Sequence, residues 1–103
     1  VKRELEQKFY NRWPTWFIRD DPKTSLMCFG FTCEDGWFKV LWELCEQIEP
    51  LAPVNFQVIQ VKEKFGGLRF YINHHLDSID NLIHLAEAKC RFRQAEEYQR
   101  IEE

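Results

Sequence analysis

Apolar and polar positions alternate with two periods along this chain, and the change of period marks the elements. Leu5 and Phe9 stand four apart among charged neighbours, which predicts a helix over Lys2–Asn11. Pro14 ends it near Arg12, because proline is incompatible with a helix interior and restricts the residue before it. Trp13 and Trp16 follow and are expected to pack on the domain. Asp20, Asp21 and Pro22 are turn chemistry. The apolar run "LMCFGF", Leu26–Phe31, predicts a short strand. Trp37, Leu41, Leu44 and Ile48 then return to helical spacing, and Phe38, Trp42 and Cys45 widen that stripe. Thr32 or Asp35 is placed to cap this helix, and Pro50 and Pro53 stop it.

The second half repeats the logic. Asn55–Lys64 and Leu68–Asn73 read as paired strands. From Asp77, with Asp77 or Ser78 as cap, a long helix begins, with Leu76, Ile79, Ile83, Ala86 and Cys90 on one face and Leu82 and Leu85 beside it. Beyond Cys90 the stripe thins to Phe92, Ala95, Tyr98 and Ile101. An isolated helix of that kind is marginal in water, so residues 91–103 are expected to project as a helical tail, to fray, or to pack on another subunit in a weak homodimer. The order implies one α+β domain over 1–103: a small antiparallel sheet of about three strands, helices packed on one face, and a long C-terminal helix.

Between the strands lies "VKEKFGGLRFY", Val61–Tyr71. A two-residue type I′ loop needs positive φ at both central positions, which Gly66 and Gly67 adopt freely. With that turn Phe65 faces Leu68, Lys64 faces Arg69, Glu63 faces Phe70, Lys62 faces Tyr71 and Val61 faces Ile72. Strand alternation then gives two faces. Val61, Phe65, Leu68, Phe70 and Ile72 form a core face that includes Glu63, expected as a structural carboxylate. Lys62, Lys64, Arg69 and Tyr71 form a small cationic face with one aromatic. Such a face solvates a strand and discourages edge aggregation, or it binds an acidic protein or a phosphate backbone.

Composition narrows the classes. The 103 residues include nine Phe and four Trp, enough aromatic bulk for a real core, and the net charge of −3 argues against a protein that coats DNA. No apolar run approaches a membrane span of ~18 residues. The N-terminal "VKRELEQKFY" lacks a signal-peptide core, so a cytoplasmic protein is expected. Cys28, Cys33, Cys45 and Cys90 match no paired zinc spacing. They are expected as reduced, mostly buried thiols, with a Cys28–Cys33 link as the alternative if those two face each other across a turn. His74, His75, Asp77, Asp80 and His84 are polar groups around a helix start, with at most two ligands on one helix face. No metal and no cofactor is expected. The chain carries no Walker loop, no H-E-x-x-H, no G-x-S-x-G and no paired catalytic carboxylates, so it is read as a non-enzyme.

Two stretches carry a resemblance: "CEDGWFKVLWELCEQIE", Cys33–Glu49, and "VIQVKEKFGGLRFYI", Val58–Ile72. With the Ala86–Glu87 pair on the following helix, the span from Phe29 to Cys90 resembles a family of small uncharacterised proteins encoded by bacteriophages and prophages. Many members continue into a cysteine-rich C-x-x-C-G element that looks like a zinc knuckle. Here only Cys90 stands near that place, and no zinc function carries over. The resemblance implies a phage or prophage setting. The expected function is binding of a host or phage protein, including inhibition of host defence. The alternative is a nucleic-acid-binding accessory protein that uses the basic hairpin face.

Overall fold

The computed structural model describes residues 3–19, 23, 25–27, 30–32 and 35–102, and only the backbone of residues 32, 35 and 91–102. Helix α1 spans Arg3–Arg12 and stops two residues before Pro14. Strand β1 is Phe31–Thr32. A single 3₁₀ turn, Asp35–Trp37, leads into α2, Phe38–Ile48. A second 3₁₀ turn, Glu49–Leu51, follows, with Pro50 in its opening positions. Strands β2 (Val58–Lys64) and β3 (Gly67–Ile72) form the hairpin, and α3 begins at Asp77 and runs to Glu102.

The α+β class and the antiparallel β2–β3 pair stand as expected from the pattern, but the third strand does not. In the segment read as a strand over Leu26–Phe31, the described residues Leu26, Met27 and Gly30 lie outside any strand. The Leu26 N–H donates to Ile59 O at 2.8 Å, and the Gly30 N–H closes back on Met27 O at 2.9 Å. Gly30 sits at φ +74, where the ladder cannot continue. Among the described residues of this stretch, Phe31 and Thr32 pair with β2, and they do so in parallel, opposite Val61 and Lys62. The strand order is therefore β1-β2-β3.

The core holds an aromatic cluster built from the first half of the chain together with Phe56. Phe9 of α1 lies 4.7 Å from Phe31, 5.3 Å from Phe38 and 5.2 Å from Trp42, measured between ring centroids. Trp13 stacks on Trp16 at 5.5 Å, and Trp16 meets Phe56 edge-on at 4.9 Å. Tilted and edge-on arrangements dominate, as ring quadrupoles favour. Polar side chains fix the loop that crosses this cluster. Glu6 Oε1 accepts the Phe31 N–H at 2.8 Å, which ties α1 to β1. Buried Ser25 donates to Ile59 O at 3.2 Å and accepts the Met27 N–H at 3.1 Å.

From α2 the side chains of Val40, Leu41, Leu44, Cys45 and Ile48 are buried. From α3, Ile79, Ile83, Ala86 and Cys90 are buried, and Leu82 packs beside them. Leu76, assigned to this stripe by its spacing, is 42% exposed because it precedes the helix. The start of α2 also differs from expectation. Its N-cap is Trp37 with no side-chain cap bond, because the 3₁₀ turn at Asp35 carries the chain into the helix. The Asp20–Pro22 turn, the Cys28–Cys33 link and the apolar positions of the 91–103 tail fall outside the described side chains.

Candidate docking surface on the hairpin

The hairpin turn lies one residue earlier than the double glycine suggests. Lys64 pairs with Gly67, so the two loop residues are Phe65 and Gly66. Both hold positive φ, at 53 and 79, as a type I′ turn demands. Gly67 belongs to β3 and is buried. The observed register places Val61 opposite Phe70, Lys62 opposite Arg69 and Glu63 opposite Leu68. The physical reason lies in Glu63. In the glycine-centred register it would face Phe70 beneath the helices. In the observed one, buried Val61 takes Phe70, and the half-buried carboxylate moves one pair towards the tip.

A change of turn by one residue moves the pairing by two, so the faces survive. Lys62, Lys64, Arg69 and Tyr71 still share one face, with Gln60 opposite Tyr71. Lys62 and Arg69 are half-buried and Lys64 is exposed. Tyr71 is 40% exposed, and the Lys62 ammonium lies 5.7 Å from its ring centroid. A bulge at Ile59, between the Val58–Ile72 and Gln60–Tyr71 pairs, re-aims β2 at its start.

Phe65 was assigned to the core face and is instead 95% exposed at the tip. The Lys64 ammonium stands 5.6 Å from its ring centroid. A bulky residue in the left-handed region is an outlier that costs about 1–2 kcal/mol. The only sequence signal for this placement was the alternation itself. Val61, Glu63 and Phe65 share a parity, and the turn interrupts that parity before Phe65.

Beside this face a groove of about 460 Å³ separates β3 from α3. Arg69, Tyr71 and the backbone of β3 line one side, and Asp80, Ile83, His84 and Glu87 line the other. Glu87 Oε2 accepts the Phe70 N–H at 3.3 Å, and Arg69 donates from Nη1 to Leu68 O at 3.1 Å. His75 Nδ1 stands 3.5 Å from Asp80 Oδ1, with the imidazole largely exposed. Sequence reading missed Glu87, because nothing in a helical pattern says which polar residue will meet a strand edge. Among the described residues, no group of three or more His, Cys, Asp or Glu side chains is placed to hold a metal ion. Burial pushes the Cys45 thiol up, and the neighbouring Glu46 charge adds to this. Cys45 and Cys90 are both buried, and Cys45 is far from thiolate character at neutral pH.

No described helix is long and apolar enough to cross a membrane. No family model, no curated protein and no solved structure matches the chain.

Proposed function

We propose that this chain is a non-enzymatic interaction protein of the phage or prophage type. Its hairpin binds an acidic surface on a host or phage protein in the cytoplasm, and through that contact it inhibits host defence. The observation that carries this reading is Phe65, a large apolar side chain 95% exposed on a strained backbone at the tip of a cationic hairpin. Strain of this kind persists where function uses it. Lys62, Lys64 and Arg69 match an acidic partner by charge, and Phe65 and Tyr71 supply the aromatic anchors typical of interface centres. Weak self-association through residues 91–103 belongs to the same reading.

A second reading, a nucleic-acid-binding accessory protein, draws on one observation. Two lysines each lie beside an exposed ring, Lys62 by Tyr71 and Lys64 by Phe65, and this interleaving suits stacked bases. The net charge of −3 weighs against it. Affinity capture from nuclease-treated bacterial lysate, comparing the wild type with a Lys64→Glu/Arg69→Glu chain of equal melting temperature, separates the two. A protein held by the wild type and lost by the double reversal supports protein docking. Capture that disappears with nuclease supports the alternative. A protein held equally by both chains removes the hairpin face from either role.

A further inference from the structure

We propose that the outer edge of β3 receives an extended acidic peptide segment as an added strand, laid in the groove between β3 and α3. The inference rests on the hairpin docking reading and specifies the form in which the partner binds.

The strand order leaves β3 at the edge of the sheet, with no described strand beyond it. Its backbone phase is set by two bonds. The Phe70 N–H turns away from β2 to Glu87, and the Asn73 N–H turns inwards to Gln57 O at 3.1 Å. Antiparallel ladders alternate, so Leu68, Phe70 and Ile72 direct their N–H and C=O groups outwards, towards the groove. Two of those groups are held by side chains. A carboxylate takes the Phe70 N–H, and a guanidinium takes Leu68 O. A carbonyl and an amide of an incoming strand would supply the same acceptor and donor. The Glu87 contact, at 3.3 Å, is longer than the usual N–H···O range, and Glu87 and Arg69 both retain solvent exposure. Both contacts are therefore exchangeable.

Charged side chains at a sheet edge also serve simply to prevent unwanted pairing. The groove argues for more than protection. Where an edge is only being protected, a helix packs down onto it. Here Asp80, Ile83, His84 and Glu87 of α3 line a space of about 460 Å³ beside the edge. Strand addition beside a helix is an established mode of peptide recognition. The occupant is a single segment rather than the β3 of a second copy, because α3 walls the edge and a second sheet would bring its own α3 into the same space. Charge selects its character. Alternate side chains of an added strand would fall beside Arg69 and Tyr71 on the cationic face, where carboxylates are complementary. The intervening ones would face Asp80, Ile83, His84 and Glu87, so they must be uncharged, because carboxylates there would meet those of Asp80 and Glu87.

The probe is a fluorescent heptapeptide alternating Glu with Thr, together with two isomers N-methylated at its odd or its even amides. An added strand uses one of its own edges. One isomer is therefore expected to bind at least tenfold more weakly than the parent and the other within twofold, while exchange of the Leu68, Phe70 and Ile72 amides slows on binding. Equal binding by both isomers, or no binding of the parent at millimolar concentration, overturns strand addition. Arg69→Glu, checked for an unchanged melting temperature, separates this from the reading beneath it. If reversal weakens the parent peptide while both methylated isomers bind alike, the cationic face stands and strand addition falls. If one isomer loses binding but reversal changes nothing, strand addition stands and the preference for acidic partners falls.

Discussion

Phe65 holds φ 53 while almost wholly exposed, so its cost to folding has no compensating burial. Phe65→Asn, which suits the left-handed region, is expected to raise unfolding stability in urea by about 0.5–1 kcal/mol and to weaken partner binding. If the substitution lowers stability, the side chain packs in solution and the exposed-tip account fails. Gly30 shows the opposite case. A Cβ there would approach Glu6 Oε1 to 2.8 Å, on a backbone at φ +74. Gly30→Ala therefore strains the backbone and displaces the carboxylate that holds the Phe31 N–H. A loss of about 2 kcal/mol is expected in the same assay. Tyr10 is pushed up to about 12, first by burial and then by the Glu6 charge and its hydrogen bond, against the opposing pull of Arg19. The guanidinium of Arg19 lies 3.9 Å from the Tyr10 ring centroid. The folded state thus keeps the phenol proton that the unfolded chain loses near pH 10. The contribution is complete below pH 10 and disappears as pH rises towards 12. Wild type and Tyr10→Phe should therefore diverge in urea midpoint above pH 10, with the wild type falling faster. Parallel curves would show that Tyr10 titrates freely.

At the scale of elements, the hairpin shows what a sequence can and cannot specify. Alternation over Val61–Tyr71 identified both strands and both faces, because side-chain direction depends only on parity. It could not place the turn. Both Gly66–Gly67 and Phe65–Gly66 close a two-residue loop, and the choice depends on whether Glu63 or Val61 meets Phe70 under the helices. That is a tertiary fact. The Leu26–Phe31 segment failed for a related reason. Met27 and Phe31 belong to the core, but the backbone at Gly30 and the Ser25 bonds prevent a ladder. Helix α3 was legible as far as Cys90 from its stripe. The meeting of Glu87 with the β3 edge was not legible, since only the crossing of two elements creates it. The turn assignment has a direct check. Gly66 carries φ 79, so Gly66→Val should lower stability by about 1–2 kcal/mol. No change would return the turn to Gly66–Gly67 or remove it.

Across the whole molecule, stability rests on the aromatic cluster joining α1, the Trp13–Phe17 stretch, β1 and α2. Surface ion pairs add little. Arg12 and Glu49 meet at 2.9 Å with both side chains more than 40% exposed, and such pairs contribute about 0–1 kcal/mol. On the hairpin, Lys64, Tyr71 and the Phe65 tip are exposed, and Lys62 and Arg69 are half-buried. Docking of a protein at this tip can be read by site-specific photocrosslinking in bacterial cells, with benzoylphenylalanine replacing either Phe65 or Val54. Val54 is 85% exposed and lies before β2, at the other end of the strand from the tip. It controls for an apolar group displayed away from the hairpin. A docked tip gives a discrete protein adduct from position 65, lost when Lys64→Glu and Arg69→Glu are added, and none from position 54. Equal adducts from both positions, adducts from position 54 alone, or adducts to nucleic acid at position 65 would contradict it.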